Sequence, residues 1–193
     1  MFKKTYLSIF ILFIITACST KNNIIRLEPK IILPTQKSTF NAASISVNNI
    51  DNRTNKYLSE VNRNGNLVVF ELSRDPSYLM QEVVEKQMMA RGIMLASQAN
   101  INLIVQLNKL EAKINEGSLR HNITINSNVS ITATTTNGLS KTRSFTRSFN
   151  TQEFLSANNK KIQIAVNNTL TNLINDMAND NEIADFIQQN SQF

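Results

Sequence analysis

The sequence predicts an α+β domain: a mainly antiparallel sheet with two main helices packed on one face and a short C-terminal helix. Three observations predict it. Stretches after residue 100 alternate apolar and polar residues as strands do. Two other stretches carry a helical apolar stripe behind a capping residue. Asn-Gly dipeptides stand between apolar runs, as in tight hairpins. The order strand, hairpin, helix, long meander, helix is that of helices laid on one face of an antiparallel sheet.

Each element follows from its residues. IIRLEPKIILP (24–34) holds two apolar clusters split by Pro29, which lacks a ladder donor, so it is at best an edge strand lying on the domain. TQKSTFN is a loop. ASISVNNI (43–50) sets Ile45 and Val47 on one side, a half-buried strand. Asn64-Gly65, two residues that tolerate positive φ, separates Val61 from Leu67, Val69 and Phe70 and marks a hairpin. Asp75-Pro76 opens a helix, because Asp caps orphan amides and Pro has no amide to waste at the first position. Its stripe is Leu79, Met80, Val83, Val84, Gln87 and Met88, and Gly92 stops it. The Leu79, Val83 and Met88 side is expected to pack on the sheet formed by residues 101–151.

INLIVQLNKLEAKI (101–114) is apolar at odd positions through Leu107, then at even ones from Leu110. A phase switch near Asn108 is the mark of a β-bulge; part of the stretch also reads as helix. HNITINSNVSITATTT then sets Ile123, Ile125, Val129, Ile131 and Ala133 on one face and Asn, Ser and Thr on the other, an antiparallel strand with one wet face. Asn137-Gly138 turns it into KTRSFTRSFNTQEF, where Phe145 and Phe149 share a side with Arg143 and Arg147. Ser156 is placed to cap the last large helix, whose apolar face runs from Ile162 to Met177. A short helix with Ile183, Phe186 and Ile187 follows a polar break at Asn179-Asp180.

The N-terminus carries an address. Lys3 and Lys4 precede an apolar run from about Tyr6 to Ala17, too short for a spanning helix of ~20 residues and laid out as a secretory signal. The chain's one cysteine follows, in Ile15-Thr16-Ala17-Cys18. An aliphatic residue, two small ones and a cysteine resemble a bacterial lipobox, in which the sulfur receives a diacylglyceryl group and the chain is cut ahead of it; a plain signal peptide and an apolar N-terminal anchor are the alternatives. A nucleophilic role would want a histidine partner, and His121 is the single histidine; a disulfide would need a second cysteine. Ser19, where inner-membrane lipoproteins carry Asp, resembles the sorting pattern for the outer membrane, facing the periplasm. The expected organisation is a signal peptide (1–17), a lipidated cysteine with a tether and edge segment (18–38), and one α+β domain (39–193).

Composition excludes several functions. Without residues 1–17 the chain has 18 basic and 14 acidic residues, a mild net charge of +4. The basic residues are scattered, which does not make a nucleic-acid footprint. No His/Cys/Asp/Glu cluster has metal-ligand spacing, and the four glycines build no phosphate loop. Glu82 and Glu85 are read with Lys86 as solvated helix charges. No catalytic residue, metal or cofactor is expected, and the chain is read as non-enzymatic.

Three sets of residues are open to two readings. Asp51 and Arg53, in NIDNRTN, form either a local turn with an ion pair or a partner contact. Met80, Met88, Met89 and Met94 either fill the core or line an adaptable surface. Arg143, Phe145, Arg147 and Phe149 are either a half-exposed strand or a contact patch of alternating Arg and aromatic groups.

The MFKK start with its lipobox, DNRT after the first strand, SRDPSYLMQEVVEKQMMARG, and the C-terminal segment together resemble the YajG family of bacterial envelope lipoproteins. The similarity runs from residue 1 to nearly 190; Ser156-Ala157-Asn158-Asn159-Lys160 departs from the family's Ala-Ser-Asn-Lys order. The resemblance implies the fold of small α+β envelope lipoproteins that accompany larger assemblies. It brings no catalytic residue, and only the lipidated Cys18 is carried over. The expectation is a partner-binding lipoprotein whose partners are the membrane, through its lipid, and an envelope protein or cell-wall component. The alternative is a carrier of a small lipid or cell-wall fragment.

Overall fold

The structure is a computed structural model describing residues 23–35, 43–63, 65–117, 120–154 and 158–191. The signal segment, Cys18, Asn64 and Ser156 lie outside the described residues. Eleven elements follow in order: β1 (Ile24–Ile25), β2 (Ser44–Asp51), β3 (Ser59–Arg63), β4 (Asn66–Leu72), α1 (Pro76–Ala90), β5 (Met94–Leu95), β6 (Ile101–Glu116), β7 (Arg120–Thr135), β8 (Ser140–Phe154), α2 (Asn159–Asn179) and α3 (Glu182–Asn190).

Local chemistry explains most boundaries. The Asp75 side chain accepts from Ser77 N at 2.7 Å, and Pro76 opens α1. After the helix, Gly92 takes φ 87°, a left-handed conformation that glycine adopts without penalty. Asn158, rather than Ser156, caps α2, its Oδ1 accepting from Lys161 N at 3.0 Å. Gly65 (φ 81°) and Gly138 (φ 89°) mark the β3–β4 and β7–β8 hairpins.

The sheets are mixed, which corrects the expectation of a mainly antiparallel sheet. Five strands run in the order β5-β2-β6-β7-β8 and three in the order β1-β4-β3. β6–β7–β8 is an antiparallel meander, but β2 runs parallel to both β5 and β6, and β1 parallel to β4. After β2 the chain makes the β3–β4 hairpin, crosses over through α1 and re-enters beside β2 in the same direction, as parallel pairing requires. The smaller sheet adjoins the larger where Ala112 N donates to Leu58 O at 2.9 Å.

The register of β6 on β7 shifts between Leu107 and Lys109, so Asn108 is the extra residue of a bulge. The bulge keeps Leu103, Val105 and Leu107 on the same face as Leu110, Ala112 and Ile114 although the parity changes. On that face α1 rests on β2 and β6, while α2 and α3 rest on β7 and β8. Half of the floor beneath α1 is therefore β2, not the 101–151 sheet alone. Leu79, Met80, Val83, Val84, Gln87 and Met88 are all buried there, as the helical stripe requires.

Residues 23–35 are built into the domain. Ile25 and Leu27 belong to the hydrophobic core. Beyond β1 the chain runs extended along α2, with Arg26 N donating to Gln163 Oε1, Glu28 N to Asn167 Oδ1 and Lys30 N to Thr171 Oγ1 at 2.8–3.1 Å. Acceptors four residues apart on one helix face meet alternate amides of an extended strand, because both repeats advance by about 6 Å.

Candidate functional site

β2 ends at Asp51, and the loop it launches is fixed by one ion pair. Arg53 donates through Nε to Asp51 Oδ1 (3.0 Å) and through Nη2 to Oδ2 (2.9 Å), while its backbone N also donates to Oδ1. Lys56 Nζ reaches Asp51 O at 2.9 Å. Burial pushes the Asp51 carboxyl upward, but the hydrogen bonds and charge of Arg53 prevail and bring it down to about 2. Arg53 Nη1 is sealed from solvent with no partner among the described residues. Two open clefts flank the loop. One, of about 570 Å³, lies between residues 53–60 and the second half of β6; the other, of about 630 Å³, lies between the loop, β4 and the start of α1. Arg53 lines both clefts, and Asp51 holds its guanidinium.

The Arg/Phe strand faces inward. Arg143, Phe145, Arg147 and Phe149 lie on the side of β8 that meets the helices, so their charges find helix carboxylates. Arg143 donates to Asp180 Oδ2 through Nε (3.0 Å) and Nη2 (2.5 Å), and its Nη1 lies 3.2 Å from Glu182 Oε1. Arg147 pairs with Asp176 through two bonds. Phe145 is 8% exposed with the Arg143 guanidinium 5.9 Å from its ring, and Phe149 is 37% exposed at the rim. Both arginines thus tie β8 to the end of α2. Of the methionines, Met80 and Met88 are core, whereas Met89 and Met94 are exposed.

The opposite face of the larger sheet carries a series of polar clusters that bridge neighbouring strands. Asn102 Oδ1 accepts from Ser46 Oγ (3.0 Å) and Asn48 Nδ2 (2.9 Å). The bulge residue Asn108 donates to Asn128 Oδ1 (2.8 Å) and Ser130 Oγ (3.0 Å). Asn128 Nδ2 in turn donates to Thr146 Oγ1 at 2.7 Å, and the Thr132 and Thr142 hydroxyls bond at 2.9 Å. Ser148 Oγ donates to Asn126 Oδ1 and Asn126 Nδ2 to Glu111 Oε1. Side-chain amides and hydroxyls therefore bridge each pair of neighbouring strands from β2 to β8, and the second half of β6 adds the paired charges of Lys109, Glu111 and Lys113. The Asn, Ser and Thr alternation of β7 announces this face in the sequence; its continuation onto β2 and β6 needs the parallel pairing.

Sequence reasoning missed the polar ties between layers. Gln87, on the apolar stripe of α1, donates from Nε2 to both Ile32 O and Ile174 O. Arg91, 3% exposed, donates from Nη2 to Ala178 O (2.8 Å) and Asp180 O (2.7 Å), capping α2 from another helix. Burial pulls its guanidinium below the ordinary value, opposed by the charges of Asp180 and Asp185.

These features occur within a recognised family. A family model described as "Uncharacterized lipoprotein" matches residues 29–188. The chain is 37% identical over 192 residues to the uncharacterized lipoprotein YajG of Escherichia coli K12, with all of both chains covered, and equally to that of strain O6:H1. The chain belongs to the YajG lipoprotein family. Among solved structures it resembles protein XCC0632 of Xanthomonas campestris, with a TM-score of 0.62 at 14% identity, covering 88% of this chain and 99% of that one. A neuraminyllactose-binding hemagglutinin homolog from Helicobacter pylori follows, with a TM-score of 0.50 at 6% identity, covering 84% and 97%. At these identities the likeness shows the fold alone: the YajG family member has the mixed α+β architecture of those proteins. Among the described residues no helix is long and apolar enough to cross a membrane.

Proposed function

We propose that this YajG family member is a non-catalytic, partner-binding lipoprotein, anchored through diacylated Cys18 to the outer membrane and facing the periplasm. One observation supports the binding role: the face of the large sheet turned away from the helices is lined by amides and hydroxyls on β2, β7 and β8, with the charges of Lys109, Glu111 and Lys113 grouped on the second half of β6. Interface centres are depleted in charge, and Asn and Ser supply adaptable hydrogen bonding. The partner is an envelope protein or cell-wall component that offers a polar surface. The opposite side is filled by one hydrophobic cluster joining the helices, both sheets and the segment around Ile25, which favours this reading over a carrier holding a lipid in the interior. Attachment follows from chemistry: each buried acyl methylene contributes ~0.8 kcal/mol, and two or more chains hold stably.

The test places a photo-crosslinking residue at Thr132, on the wet face, or at Ile164, on the outer side of α2, in full-length protein within intact envelopes. The reading predicts a discrete adduct from Thr132 and not from Ile164, and loss of both acyl label and adduct on Cys18→Ala. Equal adducts from the two positions, or an unlabelled wild type, would overturn it.

A further inference from the structure

β8 is an edge strand, and among the described residues no strand pairs with its outer side. Its ladder with β7 runs without a shift from Ser140 to Phe154, and no proline interrupts it. A long regular edge is a template for another strand, and proteins commonly blunt one with bulges, Pro or inward-pointing charges; the inward charges of β8, Arg143 and Arg147, are taken up by Asp180 and Asp176. At the hairpin Thr135 N donates to Leu139 O at 2.9 Å, which sets the phase of the ladder. Odd residues of β8 thus bond to β7, while Thr142, Ser144, Thr146, Ser148 and Asn150 turn their N–H and C=O outward. The side chains of these outward residues are exposed.

The strand also carries a tandem repeat, TRSFTRSF, over residues 142–149. Laid antiparallel on a copy of itself about a two-fold axis at Thr146, it sets Arg143 opposite Phe149 and Phe145 opposite Arg147. Ser144 then lies opposite Ser148 on the wet side. Neighbouring registers fit less well. An axis at Phe145 sets Arg143 opposite Arg147, and one at Arg147 sets that residue opposite its own copy, both like-charge pairs. An axis at Ser148 retains only the pairing of Arg147 with Phe149. The arginines are prepared for such contacts, because Asp180, Glu182 and Asp176 already neutralise and orient them. Phe149, 37% exposed, is the apolar group the pairing covers.

We propose that the β8 edge is a homodimer interface: two copies pair antiparallel about a two-fold axis at Thr146, joining their large sheets and wet faces into one. The axis brings the Thr146 Cα atoms about 5.5 Å apart, within reach of a disulfide. Full-length protein carrying Thr146→Cys, oxidised mildly in its membrane, is expected to form a disulfide-linked dimer. Thr142→Cys faces Asn150 of the copy and lies far from its own counterpart, so it is expected to form none. The wild type, with Cys18 alone, sets the background. No link from Thr146→Cys, an equal link from Thr142→Cys, or a link from Ser148→Cys in its place would overturn the proposal. As a second measurement, Thr146→Pro removes an N–H that β7 does not use. Sedimentation in mild detergent is expected to show its mass halved relative to wild type; a Thr146→Pro protein that remains dimeric would also overturn the proposal.

Discussion

Asp51 shows how far a single residue can be read in advance. The NIDNRTN stretch after an apolar strand signals a turn with an ion pair, and the structure holds that pair, with Arg53 gripping the carboxylate through both oxygens. Two residues apart, the partners are local, so sequence spacing finds them. Arg91 and Gln87 are the contrary case: their acceptors lie at Ala178, Asp180, Ile32 and Ile174, and no local pattern announces partners so distant. The depressed Asp51 pKa has a consequence of definite sign. With a folded value of about 2 against an ordinary 3.8, the charged carboxylate stabilises the fold above pH ~4, and this stability is lost as pH falls toward 2. The contribution is at most on the order of 2 kcal/mol, because solvent beside the loop screens the pair. Melting curves should therefore show Asp51→Asn well below wild type at pH 6, with the gap closing between pH 4 and 2. A gap that holds constant across that range would mean the carboxylate charge is not what fixes the loop.

At the level of elements, periodicity reports what each segment buries, and it does so for α1, β7 and the bulge in β6. The parity change near Asn108 is visible because a two-residue repeat leaves no freedom: one added residue must reverse every later position unless the strand bulges. Pairing direction is not written in periodicity, so β2 parallel to β6, and with it the mixed sheet, was out of reach. So was the two-residue β5, too short to show any repeat. The orientation of α1 is open to a paired test. Val83 is fully buried over the sheet, whereas Glu82 faces solvent between Arg74 and Lys86. Val83→Asp loses ~1.5–3 kcal/mol of burial and adds an unpaired carboxylate in the interface. Glu82→Ala gives up exposed ion pairs worth ~0–1 kcal/mol. Denaturant titration should show a large fall in midpoint for the first and a small one for the second; equal shifts would place the stripe on the wrong side of the helix.

For the whole molecule, the layers assign different tasks to the two faces of one sheet. Helices, the small sheet and the segment along α2 cover one face with apolar side chains, and the Arg143 and Arg147 ion pairs close the edge of that layer. The other face is left mainly to amides and hydroxyls, with the Lys109, Glu111 and Lys113 charges on β6. The division was legible for β7, whose alternation is strict, and illegible for the assembled face, because its extent depends on which strands lie side by side. Family membership fixes the class of molecule, and the wet face supplies the reading of what it does. The most direct test of that reading is the rate at which a soluble maleimide labels Thr132→Cys and Ile164→Cys, compared between intact envelopes and purified protein. If a partner covers the wet face, the Thr132→Cys thiol is slow in membranes and fast once purified, while the Ile164→Cys thiol reacts alike in both. Equal labelling of the Thr132→Cys thiol in membranes and in purified protein would contradict the account.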